Sequence, residues 1–85
     1  MLTVKHGERL MQAWEISHAT PTSDWIQAGF KHGLLSWDAL DDNRLRLNSA
    51  WSFTLGEIGD YIITDHDELK LIPKKRFLKE YQIIH

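Results

Sequence analysis

Chemistry in this chain would have to come from five histidines, two acidic clusters, a run of basic residues and four tryptophans. His6, His18, His32, His66 and His85 are scattered, with no His-Glu-x-x-His helix and no close pair, so their spacing does not describe a zinc site. His32 suits the C-terminal end of a helix, His66 suits a loop, and His85 is the last residue. Asp41-Asp42 and Asp65-x-Asp67-Glu68 read as solvated turn residues, since neither supplies the spaced oxygen ligands of a calcium loop. No Gly-x-Ser-x-Gly elbow, phosphate-binding loop or dinucleotide fingerprint is present. The chain has no cysteine, which excludes disulfides, thiolate metal sites and Cys nucleophiles. Paired carboxylates for glycoside hydrolysis would need a deep cleft, for which 85 residues leave little room beside a core. The expectation is a protein without catalytic residues, metal or cofactor.

Two features are suited to macromolecular contact. Lys70, Lys74, Lys75, Arg76 and Lys79 fall within ten residues and make up half of the ten Lys and Arg. Lys74, Lys75 and Arg76 would occupy the first turn of a helix, where the dipole disfavours each positive charge by ~0.3–1 kcal/mol. Such a patch can meet nucleic-acid phosphates or an acidic protein face; the plainer reading is a solvated face that aids solubility. The tryptophans are Trp14, Trp25, Trp37 and Trp51. Full enclosure takes ~200 Å² of burial per ring, so in a domain of this size one or two should stay partly exposed as an aromatic patch. Trp37 and Trp51, on strands whose second face is open, are the expected candidates.

The elements that must position these residues follow from periodicity and turn chemistry. Met1 to Glu8 is polar apart from Leu2 and Val4, with a turn at Lys5-His6-Gly7. Arg9 to Ile16 puts Leu10, Gln12, Trp14 and Ile16 on one side and Met11 and Ala13 on the other, a strand covered on both faces. Thr20-Pro21 is expected to open a helix, capped by Thr20 and favoured by Asp24 near the positive end of the dipole. Trp25, Ile26, Gly29 and Phe30 form its apolar stripe, and Gly33 ends it. Leu34 to Trp37, Arg44 to Asn48 and the alternating Trp51, Phe53 and Leu55 read as strands, with a hairpin loop at Asp41-Asp42-Asn43. Gly56-Glu57-Ile58-Gly59-Asp60 is expected to turn, because two glycines weaken a strand. Tyr61 to Thr64 and Leu69 to Ile72 then flank a four-residue loop, Asp65-His66-Asp67-Glu68. Pro73 starts a second helix whose Phe77 and Tyr81, one turn apart with Leu78 beside them, cap the sheet. Ile83 and Ile84 suit a last short strand. The fold class is α+β, a small and mostly antiparallel sheet of about five or six strands with one helix near 21–32 and a short one near 73–81.

In this last segment, Gly59, Asp60, Tyr61, Glu68, Phe77 and Tyr81 stand in an order that resembles small phage and prophage proteins of unassigned function. Their shared signature runs Pro-Gly-Asp-Trp-Ile, then Gly-Glu after a short loop, then a spaced Phe and Tyr. Here Tyr61 stands in place of Trp, Ile58 in place of the proline, and Asp67 in place of the second glycine. Leu71-Ile72-Pro73 replaces the usual Tyr-Pro-Cys. Gln12-Ala13-Trp14, Asp24-Trp25 and Thr54-Leu55-Gly56 look similar to upstream parts of the same proteins. The resemblance implies a phage-borne accessory protein and brings no catalytic residue with it. The motif also has a structural meaning: Gly59 permits positive φ, Asp60 closes the turn by bonding backbone N–H groups, and Phe77 and Tyr81 bury the open face of the sheet.

Composition sets the remaining bounds. An apolar fraction of 42% belongs to a folded globule, and 85 residues make one domain. A net charge of -2 predicts neither general nucleic-acid affinity nor membrane attraction. No apolar run approaches the ~18 residues of a spanning helix, and the start lacks the apolar stretch of a signal peptide, so the expected location is the bacterial host cytoplasm. The leading expectation is a protein–protein interaction module acting on a host factor or on itself. The alternatives are a small nucleic-acid-binding domain using the basic helix, and an oligomeric structural piece of a virion or its assembly.

Overall fold

The computed structural model describes residues 2–21, 23–65 and 68–84. In chain order the elements are β1 (Leu2–His6), β2 (Arg9–Glu15), α1 (Asp24–Lys31), β3 (Leu35–Trp37), β4 (Arg44–Asn48) and β5 (Phe53–Glu57). They continue with β6 (Tyr61–Asp65), β7 (Glu68–Ile72), α2 (Lys74–Glu80) and β8 (Gln82–Ile84). All pairings are antiparallel, in a five-stranded sheet of order β7-β6-β2-β1-β8 and a three-stranded sheet of order β3-β4-β5. The α+β class is as expected. The strands number eight among the described residues and form two sheets where one was expected.

The larger sheet is covered on both faces, and β6 shows why. Tyr61 and Ile63 point one way and Ile62 the other, and all three are buried. On the first face Val4, Met11, Ala13, Tyr61, Ile63 and Ile72 pack beneath Phe77 of α2, with Leu2, Tyr81 and Ile83 at the margin. On the second, Ile16 and Ile62 pack with Ile26 of α1 and with Leu35 and Leu45 of the small sheet. Hydrophobic periods of two in the strands and about 3.6 in the helices thus feed two separate cores.

Several local expectations shift. Leu2–His6 is a strand rather than a polar lead-in, because it pairs on both edges and buries Val4; the turn falls at Gly7, whose φ is +63°. The first helix starts at Asp24, not at Pro21, with Ser23 at its N-cap. The Pro21 carbonyl is instead taken by the Gln27 side chain at 2.7 Å, which holds Pro21 outside the helix. Pro73 stands at the N-cap of α2, one position ahead of where it was expected. Leu78 does not cap the sheet: it is 58% exposed, since residues 77 and 81 take the inward stripe and 78 lies about 100° round the helix.

Gly56 does not turn. It is buried within β5, and a Cβ there would lie 2.5 Å from Leu71 Cδ1 and 3.0 Å from Ile16 Cδ1, so the small sheet approaches the large one through its missing side chain. The turn is confined to Ile58-Gly59-Asp60, with Gly59 at φ +97°. Asp65 and Glu68 pair across the β6–β7 hairpin, so its loop is shorter than the four residues expected; His66 and Asp67 lie outside the described residues, as does His85.

Candidate functional site

The most open apolar surface lies along β5. In an antiparallel ladder successive residues direct their N–H and C=O groups to alternate edges. Ile58 N–H donates to the Asn43 carbonyl at 3.3 Å, and Ser49 N–H to the Ser52 carbonyl at 2.8 Å. With the continuous β4–β5 register, these bonds assign residues 54 and 56 to β4 and direct the backbone groups of Phe53 and Leu55 to the outer edge. Glu57 would be the next outward residue, but its N–H donates to Asp60 Oδ2 at 2.9 Å and its carbonyl accepts the Asp60 N–H at 2.9 Å. No strand of the described residues pairs with this edge, so Phe53 and Leu55 alone present a short open ladder.

The side chains there are apolar and solvent-facing. Trp51 is 96% exposed and Phe53 50%, with Leu55 and Ile58 also exposed. The Arg46 guanidinium lies 3.8 Å over the Phe53 ring, a cation–π contact, and its Nε is buried with no hydrogen-bond partner among the described residues. Arg46, on the outer face of β4, is therefore half-buried. Trp51, a sequence candidate, sits at this edge. Phe53, Leu55, Ile58 and Arg46 complete it; the alternation around Phe53 was visible in the sequence, but the position of β5 at the end of a sheet was not.

Trp37 lies elsewhere and is half-buried. Its ring lies tilted against that of His18 at 4.3 Å and 6.3 Å from Phe30, which meets Trp14 edge-on at 6.1 Å. With Pro21 these rings line a shallow cleft of about 230 Å³. His18 Nε2 is 3.3 Å from Asn43 Oδ1, which ties the ring to the β3–β4 turn. The structure does not bring Trp37 and Trp51 together into one patch.

The basic run is less uniform than its sequence. Lys70 pairs with Asp65 at 3.3 Å, and Arg76 with Glu80 at 2.6 Å along α2. Lys74, Lys75 and Lys79 are exposed and make no ion pair among the described residues. The first turn of α2 holds no acidic residue of its own. Asp60 supplies the missing acceptor, as Oδ1 takes the Lys74 N–H at 2.9 Å while Oδ2 closes the preceding turn.

The signature residues form one structural unit. Tyr61 stacks on Phe77 at 3.7 Å, Phe77 on Tyr81 at 5.3 Å, and Tyr81 on His6 at 4.8 Å. The Tyr61 hydroxyl donates to Glu15 Oε1 at 3.0 Å. Burial, then that hydrogen bond and the Glu15 charge, push the phenol above its ordinary range. Glu68 is exposed at the start of β7 and takes no part in this stack. The acidic residues likewise serve structure. Asp41 Oδ1 accepts the Asn43 N–H at 3.0 Å and its carboxylate faces Arg44 at 3.5 Å, while Asp65 holds both Arg9 and Lys70. Among the described residues no group of three His, Cys, Asp or Glu is placed to hold a metal ion.

Comparison of the chain with protein-family models, with curated proteins and with solved structures finds no match. No helix of the described residues is long and apolar enough to cross a membrane.

Proposed function

We propose that this protein is a non-enzymatic binding module that works by protein–protein contact, on a host factor or on another copy of itself. The observation that carries the reading is the apolar edge of β5, where Trp51 is 96% exposed beside Phe53 and Leu55. A large aromatic left in water next to unpaired strand groups is costly to keep without use, and both features favour a protein partner. The phage or prophage origin rests on the Gly59-to-Tyr81 signature, and a cytoplasmic location goes with it. Tagged full-length protein should capture a specific partner from bacterial lysate, and Trp51→Ser should lose it while retaining the wild-type melting temperature. Failure to retain any specific protein under several salt conditions, by a chain that also stays monomeric, would count against the reading.

A second reading, nucleic-acid binding, is favoured by the exposed Lys74, Lys75 and Lys79 on α2. It calls for affinity for single- or double-stranded oligonucleotides that falls with salt. Changing Lys74, Lys75 and Lys79 to Glu should abolish that affinity, and absence of binding even at low salt removes this alternative.

A further inference from the structure

We propose that β5 pairs with β5 of a second copy of this chain, antiparallel about a two-fold axis at Thr54, to give a continuous six-stranded sheet. The inference rests on the protein-contact reading and names its partner. The backbone selects the register. Phe53 and Leu55 have outward N–H and C=O groups, while those of Glu57 are already held by Asp60. Placing Phe53 opposite Leu55 of the second copy matches every free donor to a free acceptor and stops where Asp60 closes the ladder. Moving the axis to Leu55 would set Phe53 against the occupied groups of Glu57 and leave two bonds in place of four.

The side chains agree with this register. Phe53 meets Leu55 of the second copy on the outer face, and Thr54 meets Thr54 on the other, both favourable cross-strand pairs. The same register sets each exposed Trp51, just before β5 begins, opposite Glu57 of the other copy. Charges are complementary as well. Glu57, whose side chain is 70% exposed and faces Arg44 of its own chain at 3.7 Å, falls diagonally next to Phe53 of the second copy, whose ring carries the Arg46 guanidinium. Apolar side chains exposed at this edge amount to roughly 400 Å² per copy, which for two copies with backbone approaches the ~1,000 Å² of a specific interface.

Sedimentation of the full chain over rising concentration should show a monomer–dimer equilibrium. Amide exchange at Phe53 and Leu55 should slow as dimer forms. Leu55→Pro removes an N–H that β4 does not use and should weaken dimerisation at least about tenfold. Phe53→Lys, which leaves the backbone unaltered, should do the same if the proline variant misfolds. A chain that stays monomeric up to its solubility limit overturns the pairing. A dimer whose Phe53 and Leu55 amides still exchange freely, or that survives both substitutions, overturns it too. A monomeric chain that captures a foreign protein through Trp51 refutes the self-pairing while leaving the protein-contact reading in place.

Discussion

Asp60 Oδ1 accepts the amide N–H of Lys74 across a separation of fourteen residues, and at 2.9 Å the bond caps a helix that has no cap of its own. The other oxygen of the same carboxylate takes the Glu57 N–H. One side chain therefore joins the β5–β6 turn to the start of α2. It also sets a negative charge at the helix end crowded by Lys74, Lys75 and Arg76, offsetting part of their unfavourable interaction with the dipole. The Gly-Asp pair of the signature works as a brace between two elements.

Replacing Asp60 should lower stability in a graded way. Asp60→Ala removes both acceptors and should cost about 1–3 kcal/mol, while Asp60→Asn retains one oxygen and should fall between Ala and wild type. Urea unfolding gives the order directly. Equal losses for Ala and Asn would show that the single oxygen kept by Asn contributes nothing and would overturn the graded order.

Gly56 and Gly59 should be intolerant for different reasons. At Gly59 the strain is in the backbone, since φ is +97° and no atom would touch a Cβ, so Gly59→Ala should cost about 1 kcal/mol or more wherever its neighbours are changed. At Gly56 the obstacle is the Leu71 and Ile16 side chains, so Gly56→Ala should cost roughly 1–3 kcal/mol. The double variant Gly56→Ala, Leu71→Ala should show less than the sum of the single losses. Additive losses from chemical denaturation would mean that the clash is not the cause.

How much of this was legible follows from the range of each interaction. Arg44–Asn48, the hairpin after Tyr61, the strand at Ile83 and the inward Phe77 all come from local period and turn chemistry, which a sequence displays. Gly56 was misread because a buried glycine in a strand and a turn glycine look alike until Leu71 and Ile16 are seen above it. The start of α1 was misread because Thr20 and Ser23 are both cap-type residues, and the choice was made by the Gln27–Pro21 bond. The open edge of β5 depends on sheet order, which no local pattern encodes.

Core and edge aromatics should separate cleanly. Phe77 is fully buried between Tyr61 and Tyr81, and Phe77→Ala should cost about 3–5 kcal/mol. Trp51→Ser should change monomer stability by no more than about 0.5 kcal/mol. Thermal melts at low protein concentration make the comparison, and a large loss for Trp51→Ser would mean that the ring is packed in solution.

Tyr61 should make stability fall at alkaline pH. Its phenol is raised above the ordinary tyrosine range, first by burial and then by the hydrogen bond and charge of Glu15. Below about pH 10 both folded and unfolded chains keep the proton, so the full contribution is present. Above it the unfolded chain releases the proton while the folded one retains it, and stability declines as pH rises toward the folded value. The informative quantity is the difference between wild type and Tyr61→Phe in denaturant unfolding from neutral pH to about pH 11. That difference should shift against wild type only above pH 10. Because burial is the leading cause, Glu15→Gln should preserve most of the alkaline slope; its complete loss in that variant would assign the effect to the Glu15 carboxylate instead.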